Sequence, residues 1–329
     1  MQVEQTIVDY KNIYDQLRKK LNWKVSDNRI IMTIASMYVI SNKPFDRERF
    51  LSIAEAIRKK ASLFSTLRAQ FRFTMATNLD LNYEHTTEKI DDLLDIYNEF
   101  KNNKFKRGNF TYIAASLVLM NSNSLEEARE IINEAKVIHD GMKKQHPFLT
   151  AQSDYPFATI LALNSDLDVD TTIERLDNFY FALTNNGFKK GNDLQVLSHI
   201  LTLASDNNND ILLNRVIHVY DMLKTHGIKP KNKYYTVMGL LAFLPIEDVE
   251  INVILDLYER LNSQKQFKWQ KDLNIILAIS FFVSDKLENN QLIETNIFTT
   301  LEAILQVQHA IIISSVVSAT AVTSSSNNS

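Results

Sequence analysis

Residues 213–245 read LNRVIHVYDMLKTHGIKPKNKYYTVMGLLAFLP, and this stretch decides the fold. Its first part carries apolar residues at the spacing of one helix face, namely Leu213, Val216, Tyr220 and Leu223. Gly227 follows, where the end of a helix favours a residue that adopts a left-handed backbone. After a corner at residues 228–230, an almost wholly apolar run predicts a second helix, buried on two sides and ended by Pro245.

The same pattern recurs along the whole chain. A large apolar residue, which we call the anchor, marks each corner and is usually followed by lysine. The anchors are Trp23, Phe64, Phe105, Phe148, Phe188, Ile228 and Phe267, in steps of 41, 41, 43, 40, 40 and 39 residues. A period this regular is typical of a helical-repeat protein. We therefore predict an all-α fold, an α-solenoid of about seven antiparallel helix pairs with a period near 40 residues, each pair made of an amphipathic outer helix and a more apolar inner helix.

Further columns of residues support this register over the alternative, a helical bundle with accidental spacing. Four residues after the anchor, four repeats carry Asp or Asn, namely Asp27, Asn109, Asn192 and Asn232, and the others carry Arg68, Gln152 and Lys271. In the repeat quoted above, this position is a plausible N-cap of the second helix. We expect residues 1–309 to form a single helical-repeat domain that ends in one more helix over residues 287–309. Residues 310–329, apolar and then rich in Ser and Asn, are predicted to be a flexible C-terminal tail, or alternatively a segment that docks into a groove or a partner.

Composition narrows the classes of function. The 329 residues include 36 Lys and Arg against 39 Asp and Glu, so the net charge of −3 gives no basic footprint for nucleic acid. The absence of cysteine excludes disulfides, zinc–thiolate sites and thiol nucleophiles. The N-terminus lacks the apolar core of a signal peptide, and the apolar part of the tail is too short for a membrane span. We expect a bacterial, cytoplasmic protein without a membrane span, cofactor or metal.

Two short motifs stand out, SDYPFA at residues 153–158 and LQVLSHIL at 194–201. With these DYP and LSH motifs, its length and its polar, uncharged tail, the chain resembles an uncharacterised bacterial helical family, domain-of-unknown-function family 4003. The resemblance covers essentially the whole chain and implies no particular activity. A structural explanation of the first motif is that Ser153 or Asp154 caps a helix and Pro156 lies in its first turn.

Counting from the anchors places the motif residues in one register. Tyr155 lies seven residues after its anchor and His199 eleven after its own, so both are predicted on one face of adjacent inner helices. The residue seven positions after the anchor, which we call the plus-seven column, is apolar in the first two repeats and polar from the third repeat on. The candidate groove residues are therefore Tyr112, Asp154, Tyr155, Gln195, His199 and Tyr235. The alternative is that these tyrosines and His199 belong to the core.

Three functions remain open at this point. The first is a protein or peptide interaction or scaffold module that binds through the inner-helix face. The second is an RNA-binding protein, because VYDMLKTHGIKPKNKYYTVMGLL at residues 219–241 looks like a pentatricopeptide repeat, although the period and the net charge are wrong for it. The third and least favoured is an enzyme that uses Asp154, Tyr155 and His199. No metal-ligand spacing, phosphate loop or nucleophile motif supports catalysis.

Overall fold

The computed structural model describes residues 2–164, 168–203, 209–289 and 295–326. Within these ranges the chain forms fifteen α-helices and no strand, which confirms the all-α prediction. The helices are α1 (Val3–Leu21), α2 (Asn28–Ile40), α3 (Arg47–Lys60), α4 (Arg72–Asn82), α5 (Thr86–Asn102), α6 (Asn109–Asn121), α7 (Leu125–Gln145), α8 (Tyr155–Asn164), α9 (Val169–Asn185), α10 (Asn192–Thr202), α11 (Asn209–Thr225), α12 (Tyr235–Ala242), α13 (Ile251–Ser263), α14 (Lys271–Asn289) and α15 (Thr295–Ser326).

All seven anchors lie in connections between an odd-numbered helix and the next even-numbered one, as the repeat predicted. Short 3₁₀ turns follow the anchor in three of these connections, at Thr66–Arg68, Gln152–Asp154 and Asn232–Tyr234. The even-numbered helices are the more deeply buried, because they pack on two sides. In α6, for example, every residue from Thr111 to Leu119 is buried.

The chain divides into two compact units. The first unit comprises Gln2–Ile132 together with the described residues from Leu305 onward, and the second comprises Asn133–Ile304. In the first unit, α1 packs on α2, α3 on α4 and α5 on α6, while α2, α4 and α6 contact one another in turn. In the second unit, α9 packs on α10, α11 on α12 and α13 on α14, while α8, α10, α12 and α14 form the corresponding series. Each unit is thus built from helix pairs that stack on their neighbours in sequence.

The C-terminal segment is helical where the structure describes it. The boundary that we expected at residue 309 falls inside α15, which continues through Ser326. Apolar residues of this helix beyond the boundary, among them Ile313 and Val316, are buried. Its segment Thr300–Ala319 is the one stretch of the described helices that is long and apolar enough to cross a membrane, but 61% of it is buried inside the protein. A core helix meets the same test, so this segment is weak evidence for a membrane span.

Three corners share one backbone motif. The residue before the anchor has a left-handed backbone at Lys104, Gly187 and Gly227, with φ of 66°, 86° and 81°. In each case the anchor N–H donates to the carbonyl five residues earlier, as in Ile228 to Leu223 at 2.9 Å. This hydrogen bond folds the anchor back onto the end of the preceding helix. The three anchors concerned are buried for this reason.

The anchors at three other corners are exposed. No left-handed residue precedes Trp23, Phe64 or Phe148, and these side chains project into solvent. At the first corner the buried apolar residue is Val25 instead of Trp23. Phe267 is buried without a left-handed residue before it, so this backbone motif accounts for three of the four buried anchors.

The expected N-caps are only partly present. The Asp27 carboxylate accepts a hydrogen bond from the Arg29 backbone N–H and caps α2 as a polar residue in this column should. Asn109 and Asn192 are instead the first residues of α6 and α10, each preceded by a glycine. The prediction for Asn232 was wrong, since this residue begins a 3₁₀ turn that precedes α12. The turn moves the start of the α-helix to Tyr235.

Candidate functional site

The predicted groove residues are all buried. Tyr112, Asp154, Tyr155, Gln195, His199 and Tyr235 are each at most 5% exposed. They lie between packed helices and do not line an open surface in this conformation. Their role in binding stays a prediction, while their burial agrees with the alternative that they belong to the core.

The polar column at plus seven connects neighbouring repeats. Tyr112 on α6 shares a hydrogen bond of 2.9 Å with Ser65, in the corner of the preceding repeat. Gln195 on α10 donates to the Thr150 hydroxyl at 3.1 Å, and Tyr235 accepts from the Lys189 backbone N–H at 3.0 Å. Each of these side chains reaches back by one repeat, so the column sets how one pair is positioned on the next.

The two motifs pack against each other in the second unit. Thr150 and Ser153, just before α8, contact Gln195 and Asn192 near the start of α10; the Asn192 amide donates to the Ser153 hydroxyl at 3.4 Å. Farther along these helices, the rings of Phe157 and His199 lie 5.7 Å apart. Pro156 lies in the first turn of α8, as predicted. Packing between adjacent repeats therefore brings together segments that are about 45 residues apart in sequence.

Several polar atoms at this junction are buried without a hydrogen bond among the described residues. They are Asp154 Oδ1, Asn192 Oδ1, Gln195 Oε1 and both ring nitrogens of His199. The other carboxylate oxygen of Asp154 accepts from the Ala151 backbone N–H at 2.7 Å. Unsatisfied buried polar groups are rare in native proteins, and each one lowers stability unless water or a ligand reaches it. This junction thus contains five buried polar atoms without a hydrogen bond among the described residues.

Burial shifts the two titratable groups of the junction towards their neutral forms. It raises the pKa of the Asp154 carboxyl to about 7, and the hydrogen bond from Ala151 only partly opposes this effect. Burial also lowers the pKa of His199 to about 3, aided by the nearby imidazoles of His139 and His146. In both groups the cause is loss of water around the charged form. Near pH 7 His199 is a neutral imidazole.

The arrangement does not assemble a catalytic pair. Among the described residues, Asp154 hydrogen-bonds to the Ala151 backbone and His199 has no hydrogen bond, so the two are not linked as a general base with its orienting acid. Tyr155 packs instead against His139 on α7, with ring centroids 4.8 Å apart. Within the ranges that the structure describes, no three His, Asp or Glu side chains come together as metal ligands.

The exposed apolar residues are concentrated elsewhere, at the corners. In the described part of the chain, the large apolar side chains that are more than three quarters exposed are Trp23 at 96%, Leu63 at 76%, Phe64 at 98%, Phe148 at 100% and Trp269 at 82%. All of them lie in connections that carry an anchor. We call the connections at residues 22–27, 61–71 and 103–108 the corner edge of the first unit.

Cationic side chains surround these residues. In the first unit they stand at the ends of α1, α3 and α5 and in the connections that follow: Arg18, Lys19, Lys20, Lys24, Arg58, Lys59, Lys60, Arg68, Lys101, Lys104, Lys106 and Arg107. No Asp or Glu occurs in residues 18–26, 58–70 or 101–108. Part of this pattern suits the helix macrodipole, which favours positive charge at a helix C-terminus. The result is an edge that is locally cationic in a chain whose net charge is −3.

Sequence reasoning missed this edge, although its signal was visible. The lysine that follows most anchors was used only to establish the repeat, and net charge was used in place of charge distribution. Periodic lysines at one point of each repeat fall on one edge once the repeats stack, so the repeat itself predicted a local excess of positive charge there.

Comparison with known proteins agrees with the sequence motifs. The family model described as "Protein of unknown function (DUF4003)" matches residues 13–310. A protein of Bacillus subtilis (strain 168), described as uncharacterized protein YeaA, is 34% identical over 313 residues, which cover 95% of this chain and 94% of that relative. No solved structure matches significantly. The chain therefore belongs to the DUF4003 family of proteins of unknown function.

Proposed function

We propose that this protein is a helical-repeat interaction module, an α-solenoid that contacts its partner through the corner edge of the first unit. The observation that carries the proposal is the exposure of Trp23, Leu63 and Phe64 within a surface rich in Lys and Arg. A contiguous exposed apolar patch rimmed by polar residues marks an interaction site, and the two corners that carry these side chains are joined by the hydrogen bond from Ser26 to Gln70. Trp and Arg are also the residues most enriched among the energetic centres of interfaces.

The edge replaces the inner-helix face as the proposed contact surface. The inner-face candidates are buried, and the hydrogen bonds of Tyr112, Gln195 and Tyr235 hold neighbouring repeats together. A partner could reach those side chains only by separating packed helices. The edge offers its side chains without any rearrangement, and its chemistry requires a partner that is anionic and accepts apolar groups.

The sequence left a protein or peptide and RNA as candidate partners, and each must be anionic and accept apolar side chains to fit the edge. A protein or peptide partner meets this requirement if its surface is acidic. RNA was disfavoured by net charge, but the local charge of the edge removes that objection, so RNA is a competitor that the experiments must separate. An enzymatic function is not proposed, because Asp154 and His199 are not paired.

The test is co-purification of the full chain from cells that naturally contain it, after mild crosslinking. Proteins, lipids and nucleic acids bound to the wild type are compared with those bound to the triple variant W23S/L63S/F64S. We expect the principal partner to be lost from this variant. Val8→Ser is the matched control, since Val8 is 53% exposed on α1 and lies away from the edge. A partner retained by a folded triple variant would contradict the proposal.

A further inference from the structure

We infer that the corner edge of the first unit binds the surface of an anionic lipid membrane. This inference rests on the proposed function, because it names the partner of the same edge. Three features carry it: the side chains that project from the edge, the charge around them, and the way in which they are distributed over separate corners.

The projecting side chains come from two adjacent corners that are joined to each other. The Ser26 backbone N–H donates to Gln70 Oε1 at 3.0 Å, which links the first connection to the second. Trp23 precedes this hydrogen bond on one corner, and Leu63 and Phe64 precede it on the other. Trp23 and Phe64 are almost fully exposed to solvent, and Leu63 is about three-quarters exposed. Trp, Phe and Leu are the side chains with which peripheral proteins enter the boundary between headgroups and acyl chains.

The charge of the edge complements an anionic leaflet. Among the cationic side chains named for this edge, the ion pairs that the structure describes are those of Arg58 with Glu55 and of Lys60 with Asp91. Lys19, Lys20 and Lys24 are exposed beside Trp23, and Lys59 and Arg68 are exposed on either side of Phe64. Clusters of Lys and Arg next to inserting residues are attracted to acidic lipids over about one Debye length.

Several acidic residues of the first unit lie where the odd-numbered helices begin, although Asp27 lies in the corner edge itself and Glu55 and Glu99 lie near the ends of α3 and α5. Asp46 caps the start of α3, and Glu88 lies in the first turn of α5. Glu126 and Glu127 occupy the first turn of α7. Positive charge is thus in excess where the odd-numbered helices end, while both signs of charge occur where they begin, as with Arg47 and Arg49 beside Asp46. An anionic surface therefore attracts the corner edge of this unit.

The distribution of the apolar groups favours a membrane over the other anionic partners. A folded protein partner requires a continuous complementary patch, whereas here apolar tips project from separate corners with polar residues between them, such as Ser62 and Ser65. A bilayer is fluid, so apolar side chains from separate corners can insert into it without a complementary surface. Nucleic-acid binding without sequence preference relies on rings on which bases stack, and Leu63 offers no ring.

The chain contains its own reporter for the test. It has two tryptophans, Trp23 and Trp269, and both are exposed. In the full-length Trp269→Phe variant, Trp23 is the sole tryptophan and lies on the edge. Its fluorescence and the sedimentation of the protein are measured with vesicles of phosphatidylcholine alone and with vesicles that also contain phosphatidylglycerol. We expect a blue shift and co-sedimentation with the anionic vesicles only, both reduced at about 0.5 M salt, where the Debye length is only a few ångströms.

Variants separate the contributions of charge and apolar insertion. W23S/L63S/F64S and, separately, K19E/K20E/K24E should lower the fraction bound to anionic vesicles on the order of tenfold. Val8→Ser should bind as the wild type does. Absence of vesicle binding by the wild type would overturn the inference, and so would tighter binding of poly(U) RNA than of anionic vesicles at the same salt concentration.

The same experiments distinguish failure of the inference from failure of the proposed function. One outcome is that the wild type fails to bind vesicles while the edge variants lose a protein or RNA partner. In that case the membrane inference is wrong and the edge is still the contact surface. If the edge variants bind vesicles as well as the wild type does, the membrane inference is wrong, and co-purification with the same variants decides the proposed function. A circular dichroism melt of each variant establishes that a loss of binding does not arise from unfolding.

Discussion

At the scale of single residues, His199 is a buried polar side chain without a hydrogen bond. Both of its ring nitrogens lack a partner in the described residues, and its ring packs on Phe157. The sequence left two interpretations of His199, a groove residue and a core residue. Its burial agrees with the core interpretation, and no described group hydrogen-bonds to its ring nitrogens. Removing the imidazole therefore leaves no other described polar group without its hydrogen bond.

We predict opposite effects for two replacements of His199. His199→Ala should lower the free energy of unfolding by about 1–3 kcal/mol, because it leaves a cavity. His199→Leu should match or exceed the wild type, because it fills the space and removes unsatisfied polar atoms. Chemical denaturation at pH 7.5 measures both variants. A His199→Leu variant that is as unstable as His199→Ala would show that the imidazole has a partner, such as a buried water.

The pH dependence provides a second check on His199. Its pKa falls from 6.5 to about 3 on folding, so the unfolded chain takes up a proton more readily. The contribution of His199 to stability is therefore present above pH 6.5 and is lost as the pH falls below that value. The advantage of His199→Leu over the wild type should grow between pH 7.5 and pH 5.

Asp154 should show the opposite dependence on pH. Its pKa rises from 3.8 to about 7 on folding. Its contribution to stability is therefore fully present below pH 3.8 and is lost as the pH rises through 7. Asp154→Asn keeps an oxygen for the Ala151 N–H and carries no charge, so it should exceed the wild type by about 1–3 kcal/mol at pH 8 and by little at pH 4. Equal stabilities at pH 8 would mean that the Asp154 carboxylate is solvated.

At the scale of elements, the corners decide how each helix pair is joined to the next one. At plus seven, Tyr112, Gln195 and Tyr235 each hydrogen-bond to the preceding corner, whereas Asn274 donates to the Phe267 carbonyl of its own corner. The sequence identified this column but assigned it to a ligand groove. The column turns polar because the corner of the previous repeat presents hydroxyl and N–H groups that need partners.

We predict that Tyr235→Phe lowers the free energy of unfolding by about 0.5–1.5 kcal/mol, the usual net contribution of one hydrogen bond. The matched control is Tyr220→Phe on α11, since the Tyr220 hydroxyl has no hydrogen bond among the described residues while its ring also packs on Phe188. Urea denaturation of both variants gives the comparison. Equal losses would show that the hydrogen bond between repeats adds nothing beyond packing.

At the scale of the whole molecule, the two ends of the sequence meet in one compact unit. Residues from Leu305 onward group with Gln2–Ile132, and Leu305, Val307 and Ile313 are buried. Composition alone predicted a flexible tail, because a run of small and Ser-rich residues has no helical stripe that marks it as packed. The flexibility of residues 310–329 stays a prediction.

We predict that deletion of residues 305–329 destabilises the first unit. Each fully buried Leu, Val or Ile side chain contributes about 1.5–3 kcal/mol, so removing several exposes a large apolar surface. Hydrogen exchange read by mass spectrometry should show lost protection in residues 2–132 and retained protection in residues 169–289. The control is deletion of residues 327–329 alone. Unchanged protection after the long deletion would show that the segment is dispensable, as expected of a flexible tail.

The sequence by itself determined the local structure. Its 40-residue period and two helical patterns per step placed every anchor in a connection between helices, and Gly227 marked a helix end with a left-handed backbone. These features depend on propensity and spacing within about ten residues, which a sequence records directly.

Only the tertiary structure decided which side chains face solvent and which neighbours they meet. Phe267 and Phe148 occupy equivalent places in the period and neither follows a left-handed residue, yet Phe267 is buried and Phe148 is exposed. His199 contacts Phe157, and Gln195 hydrogen-bonds to Thr150, because two adjacent repeats pack on each other. These contacts join residues more than 40 positions apart, so their energies depend on packing between repeats and leave no trace in the local pattern.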